Sequence, residues 1–177
     1  MLRWMAPFLS FTAEEAWKVV GKSESIFLET FAKFDAPDGS LLARWSQDLM
    51  RLRSQVLRQI EKKREAGEIG SSLQAEVTIT CNEADAAWLR TFDGNDSELK
   101  FIFLTSKFSI DVDKKLNSFI GSENLELMFV DVVASAQSKC ERCWHYRDDV
   151  GHDPAHPSIC GRCTSNLFGA GEKRRFA

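Results

Sequence analysis

Two cysteine pairs stand near the end of the chain, Cys140-x-x-Cys143 and Cys160-x-x-Cys163, with sixteen residues between them. Each C-x-x-C turn sets two thiolates on one side of a tight loop. Two such loops can offer four sulfurs at the corners of a tetrahedron, about 2.3 Å from a Zn²⁺ ion. Four protein ligands close the coordination sphere, so this spacing predicts one structural zinc with no position left for water or substrate. Two disulfides or four free thiols are the alternatives, and a reducing environment disfavours the disulfides. The last 38 residues are too poor in apolar side chains to fold alone. Metal binding, worth about 10–16 kcal/mol in small zinc domains, is their expected stabiliser. His145, His152 and His156 lie nearby, but with four sulfurs available none is expected to bind the metal. Gly161 is expected to give the knuckle its positive φ. The fifth cysteine, Cys81, ends a predicted strand and has no partner, so a buried, inert thiol is expected.

The zinc segment also displays Lys139, Arg142, Trp144, His145, Tyr146 and Arg162, followed by Lys173, Arg174 and Arg175. An aromatic ring beside arginines suits base stacking combined with phosphate pairing. Packing of Trp144 against the knuckle or its neighbour is the equal alternative, and a charged tail is more often merely solvated.

These groups need a scaffold, and the rest of the chain supplies its elements. Met1 to Ala6 reads as the tail of a helix without a start signal, as if the chain began inside a larger protein. Thr12 and Glu15 have the spacing of a capping box, with Ala16, Trp17 and Val20 on one helical face. A turn cluster, Asp35 to Ser40, precedes a long helix in which Leu42, Trp45, Leu49, Leu52, Val56 and Ile60 form one apolar stripe. Its other side carries Arg44, Arg51, Arg53, Arg58, Lys62, Lys63 and Arg64 against Asp48 and Glu61, net +5 in a chain of net charge −3. That imbalance points to contact with a phosphate backbone, with a solvated face as the alternative. Trp17, Trp45 and Trp88 lie on apolar stripes and are expected in the core.

Gly67, Gly70, Ser71 and Ser72 end the helix, and the period then changes. Ala75 to Cys81 alternates like a strand, and Asn82 to Leu89 reads as a capped helix with Ala84, Ala87 and Trp88 inward. Phe101 to Thr105, Phe108 to Val112 and Leu125 to Val133 read as three further strands. The expected fold class is α+β in three parts: a helical end (1–70), a small α/β unit (71–134) and a four-cysteine zinc finger (135–177). An ordinary composition, 44% hydrophobic and 28% charged, excludes a disordered or fibrous chain. No run approaches the roughly 18 apolar residues of a spanning helix, and no signal peptide is visible. A cytoplasmic, non-membrane protein is expected. Phosphate loops, dinucleotide fingerprints, nucleophile elbows and H-E-x-x-H are all missing, so recognition is expected of this chain rather than catalysis.

Three stretches together resemble the isoleucyl-tRNA synthetase family over nearly the whole chain. The endings Cys140-Glu-Arg-Cys-Trp-His-Tyr146, Ile159-Cys-Gly-Arg-Cys-Thr-Ser-Asn166 and Gly171-Glu-Lys-Arg-Arg-Phe-Ala177 resemble that family's bacterial C-terminus. Met5 to Trp17 is similar to the end of its helical anticodon-binding domain, and Glu61 to Val77 to the junction that follows. The resemblance implies an anticodon-arm recognition portion of a class I ligase that joins isoleucine to its tRNA with ATP. It implies an isoleucine-accepting tRNA and the rest of the parent synthetase as partners, in a monomer. It also implies one Zn on Cys140, Cys143, Cys160 and Cys163. The family's H-x-G-H and K-M-S-K-S signatures are not in this sequence, so ATP would bind only in the parent's catalytic domain and no catalytic residue is carried over. A tRNA-contacting set is expected among Arg51, Arg53, Arg58, Lys62, Lys63, Arg64, Arg142, Trp144, Lys173, Arg174 and Arg175. Two rivals remain: the related four-cysteine finger of formamidopyrimidine-DNA glycosylases, which begin with a proline nucleophile where this chain has Met1-Leu2-Arg3, and a purely structural tail.

Overall fold

A computed structural model describes residues 1–33, 35–36, 38–93, 98–120 and 128–174. The chain folds as two compact units, Met1–Leu42 and Ala43–Ala177. In the first, α1 (Leu2–Met5) and α2 (Ser10–Val19) meet a short 3₁₀ turn, Ile26–Leu28. Ala6, Ala13, Trp17 and Ile26 form its small core, with Leu2 and Met5 against them. The expected capping box is not used. The helix begins at Ser10, so Thr12 lies inside it, and Glu14 rather than Glu15 does the polar work. Its carboxylate accepts from the Ile26 N–H (2.8 Å) and the Ser25 hydroxyl (3.1 Å), which fastens the turn to α2. The inward face is Ala13 and Trp17, with Ala16 half-buried, and Val20 lies past the helix end and is exposed.

The expected long helix exists but is not uniform. Asp38 caps the start of α3 (Gly39–Arg44) by accepting from the Ser40 N–H and hydroxyl, both at 2.8 Å. A wider π-type turn, Trp45–Leu49, follows, and then α4 (Met50–Glu65). The π turn rotates the stripe. Leu49, Leu52, Val56 and Ile60 are fully buried, while Leu42 is exposed and Trp45 is half-buried, edge-on to Phe92 at 6.2 Å. The helix ends where Gly67 takes φ +75°, with the Glu68 N–H on the Lys63 carbonyl and the Gly67 N–H on Arg64, both at 3.0 Å. That pairing needs a left-handed residue, and glycine supplies it without steric penalty.

The sheet order is β2-β1-β3. Strand β1 (Ala75–Cys81) is central. It pairs in parallel with β2 (Lys107–Val112) and antiparallel with β3 (Phe129–Ala134). Ala75, Val77, Ile79 and Cys81 alternate into the core, and α4 packs on β3. The parallel pair requires a crossover, which is made by α5 (Glu83–Arg90) and α6 (Leu99–Phe103). Here two expectations fail. The inward residues of α5 are Asp85, Ala86 and Leu89, while Ala84 and Ala87, expected inward, are both exposed, and Trp88 is half-buried against Phe92 and Phe119. Phe101 to Leu104, expected as a strand, lies in a helix and its cap. Leu99, Ile102 and Phe103 recur at helical spacing and are buried, so Phe101 falls on the opposite face. A five-residue apolar run fits either period, and tertiary context decides. Part of the expected last strand, 125–127, lies outside the described residues, and β3 continues to Ala134.

Asp85 shows how much of α5 depends on one polar side chain. It is fully buried, yet its carboxylate accepts from the Phe119 N–H (2.8 Å), the Ser118 hydroxyl (2.6 Å) and Asn82 Nδ2 (3.2 Å). Asn82 in turn caps α5 by accepting from the Asp85 N–H at 2.8 Å. Replacing Asp85 by Ala leaves a buried donor unmet, and a loss of about 2–3 kcal/mol is expected in urea unfolding.

Candidate metal centre

The C-terminal segment is built around sulfur. A two-stranded ribbon, β4 (Ser138–Lys139) and β5 (Tyr146–Arg147), carries the first cysteine pair in the loop between its strands. The Cys140 N–H bonds the His145 carbonyl and the Trp144 N–H bonds the Cys140 carbonyl, both at 2.9 Å. These bonds fold the loop so that both sulfurs face the same way. The second pair opens helix α7 (Gly161–Phe168), with Cys160 at its N-cap and Cys163 in the first turn. Asp149 secures that junction. It accepts from the Gly161 N–H (3.2 Å) and from Arg147 Nε and Nη2 (2.8 and 3.0 Å). Asp149 is held below the usual carboxylate range, chiefly by the Arg147 guanidinium.

All four sulfurs lie within 4.8 Å of one another. Cys140 and Cys163 are 3.8 Å apart, as are Cys143 and Cys160. A regular tetrahedron with arms of about 2.3 Å has edges of about 3.8 Å, so the donor set has the size a Zn²⁺ ion requires. The same separations exclude disulfides, whose sulfurs sit about 2.05 Å apart. Cys140, Cys160 and Cys163 are fully buried, with Val150 and Ile159 packed on them. Burial pushes the Cys160 thiol up to about 12 and raises Cys143 as well. Burial opposes the Cys140 thiolate too, but the Cys143, Cys160 and Arg142 N–H groups aimed at its sulfur outweigh that and bring it to about 6. A buried cluster of this kind holds four thiolates only around a cation. Arg142 Nη1 donates to Cys163 Sγ at 3.5 Å. Burial works against the charge of Arg162, but the thiolates of Cys143 and Cys163 and the Glu172 carboxylate outweigh it.

The residue with positive φ in the knuckle is not Gly161 but Trp144, at φ 65°. Gly161 matters for space instead, since a Cβ there would meet Asp149 Oδ2 at 3.0 Å. Trp144 is 61% exposed, with Lys139 Nζ 5.8 Å from its ring. His145 is buried edge-on to Phe101 at 5.5 Å, with Nδ1 3.1 Å from the Cys143 carbonyl, and burial lowers its pKa to about 4. His156 stacks on Phe168 at 4.1 Å. Cys81 is fully buried, and burial lifts its thiol to about 11, as expected of an inert packing residue.

The expected basic surface is partly consumed by the fold. Arg44 bonds Thr91 (2.6 Å) and Arg53 bonds the Ile102 carbonyl (2.9 Å). Lys63 pairs with Glu68 (2.8 Å) and Arg64 with Glu61 (2.7 Å), partners at spacings other than four. Arg51 is half-buried, while Arg58 and Lys62 are exposed. Arg174 bonds Glu172 and lies over Phe101, Lys173 is exposed, and Arg175 lies outside the described residues. What the sequence did not reveal is the role of α6. Once it is helical, Phe101 and Lys100 face the zinc segment, and a hollow forms there lined also by Arg147, Arg162 and Glu172.

Residues 1–79 match the family described as the anticodon-binding domain of tRNA ligase, and residues 137–166 match the zinc finger found in FPG and IleRS. Proteins named isoleucine–tRNA ligase match the full chain: 46% identity in Cupriavidus taiwanensis, 50% in Paraburkholderia xenovorans and 43% in Thiobacillus denitrificans. The chain therefore belongs to the isoleucine–tRNA ligase family. It spans 18% of the length of those relatives. Cys140, Cys143, Cys160 and Cys163 are the donor set for one structural zinc, which would clamp the two knuckles together.

Two outcomes check this centre. Replacing Cys160 by Ser should drop bound zinc from one ion per chain to near zero by elemental analysis, because three thiolates no longer close the sphere. Replacing Asp149 by Ala removes the bond to α7 and frees Arg147. It should lower stability by about 1–2 kcal/mol in thermal unfolding, while zinc remains bound.

Proposed function

We propose that this chain is the tRNA-recognition portion of an isoleucyl-tRNA synthetase, gripping the anticodon arm while the parent's catalytic domain attaches isoleucine with ATP. Its partners are an isoleucine-accepting tRNA and the remainder of that synthetase. It works as a monomer in the cytoplasm. No helix among the described residues is long and apolar enough to cross a membrane. By role, residues 1–70 are the helical anticodon-binding portion, 71–134 a small α/β unit and 135–177 the zinc-binding tail.

Trp144 is the observation that carries this reading. A bulky residue in the left-handed region costs about 1–2 kcal/mol and persists only where its surroundings over-determine it. Here the knuckle holds the indole outward, with Lys139 close to its face. A rigid exposed ring with a neighbouring cation is a stacking platform for an unpaired base. Arg58 and Lys62 on α4, exposed on the solvent side, add phosphate contacts. The glycosylase alternative rests on the finger alone, a motif common to both families, whereas the ligase relatives match the chain throughout. The structural-tail alternative gives an exposed Trp144 no task.

In the zinc-loaded protein, Trp144→Ala should weaken binding to isoleucine tRNA about tenfold or more, the effect of one lost stacked base. The Arg58→Ala, Lys62→Ala double variant should reduce the salt dependence by up to about two units, since each phosphate contact contributes about 0.9. Filter binding across a salt series, with a non-cognate tRNA as control, reads both. Unchanged affinity in the first and an unchanged slope in the second would return the tail and helix to structural roles.

A further inference from the structure

The hollow between α6 and the zinc segment has a volume of about 300 Å³ and is lined by Lys100, Phe101, Arg147, Arg162, Gly171 and Glu172, among others. Its wall is cationic around one aromatic ring. Arg174 Cζ lies 3.9 Å from the Phe101 centroid, Arg162 Cζ 4.9 Å and Lys100 Nζ 5.2 Å. The positive groups come from three separate places in the chain, α6, the ribbon–α7 module and the tail, so the fold gathers them despite their mutual repulsion. Two carboxylates offset them. Asp149 holds Arg147 through Nε and Nη2, and Glu172 sits 3.7 Å from Arg162 Nη1 and also accepts from Arg174.

Glu172 is held in place by its own neighbours. Its N–H donates to Asn166 Oδ1 (2.7 Å), and Asn166 Nδ2 donates back to its carboxylate (3.1 Å). Gly171, at φ 77°, turns the tail so that this reciprocal pair can form. A carboxylate is thereby fixed where a second anion would meet Arg162, beside Lys100.

We propose that this hollow accepts one backbone phosphodiester of the bound tRNA, with Lys100, Arg147 and Arg162 as its cationic wall and Glu172 as a built-in anion that weakens the site. The inference rests on the tRNA reading above and adds to it a further point of attachment, besides the knuckle tryptophan and the basic face of α4. Guanidinium and ammonium groups converging on a half-open, partly apolar hollow suit a singly charged phosphodiester. The opposed carboxylate keeps attachment reversible, because like charges at close range reduce affinity.

Two single variants of the zinc-loaded full chain test it, neither of which removes a metal ligand. Lys100→Gln should weaken binding to isoleucine tRNA about two- to tenfold and lower the salt slope by about one. Glu172→Gln keeps the pairing with Asn166 and removes only the charge, so it should tighten binding about two- to fivefold. Zinc content and thermal midpoint serve as controls on folding. Should Lys100→Gln alter these, Glu172→Gln alone decides, with tighter binding supporting the site. Unchanged affinity and slope in both variants, with a parent protein that does bind tRNA, overturn the hollow and leave the broader reading standing. A parent that does not bind tRNA overturns both.

Discussion

Four thiols confined within 4.8 Å, three of them fully buried, are the constraint from which the C-terminal segment takes its shape. Protonated, they make a loose, weakly interacting cluster. Ionised without a cation, they repel one another in a low-dielectric site. A single Zn²⁺ removes the conflict and converts a segment with little apolar content into a rigid body. Among the described residues, the ribbon, the long loop and α7 bury little besides Cys140, Cys160, Cys163 and His145, with Cys143, Val150 and Ile159 partly buried around the sulfurs. Their order follows from the metal, supported by Asp149 and by the arginines near the sulfurs.

The zinc segment is joined to the α/β unit by a small number of specific contacts. Ser106 Oγ receives the Tyr146 N–H at 2.6 Å and donates to the Leu73 carbonyl, so one hydroxyl ties β5 to the approach to β1. Phe101 offers an edge to His145 and a face to the arginines of α7 and the tail. Rigid attachment is what turns a metal knuckle into a recognition surface. A stacking ring contributes to binding only if little ordering entropy remains to be lost when the ligand arrives. Trp144, strained in φ and exposed, is pre-ordered in this sense.

The metal centre was almost wholly legible in the sequence, because C-x-x-C spacing is a local property and four sulfurs leave few alternatives. The apolar stripe of α4 and the alternation of β1 were legible for the same reason, since each period is written in neighbouring residues. The failures have a common cause. Phe101 to Leu104 is an apolar run too short to carry a period, so its helical state is set by the contacts of Leu99, Ile102 and Phe103 with the core. The π turn at Trp45–Leu49 shifted the upper stripe, and the burial of Asp85 depends on a partner segment more than thirty residues away. The basic face of α4 looked unpaired because Arg53 finds its acceptor on α6, and the hollow beside Phe101 could not be foreseen while α6 was read as a strand.

If metal, rather than packing, orders the end of this chain, removing it must release that end alone. Amide hydrogen exchange on the zinc-loaded protein, and on the same protein after chelation under reducing conditions, reads this residue by residue. Protection over 138–168 should collapse on chelation while the amides of β1 and α4 stay protected. Protection of 138–168 that survives complete removal of the metal would refute a metal-ordered tail.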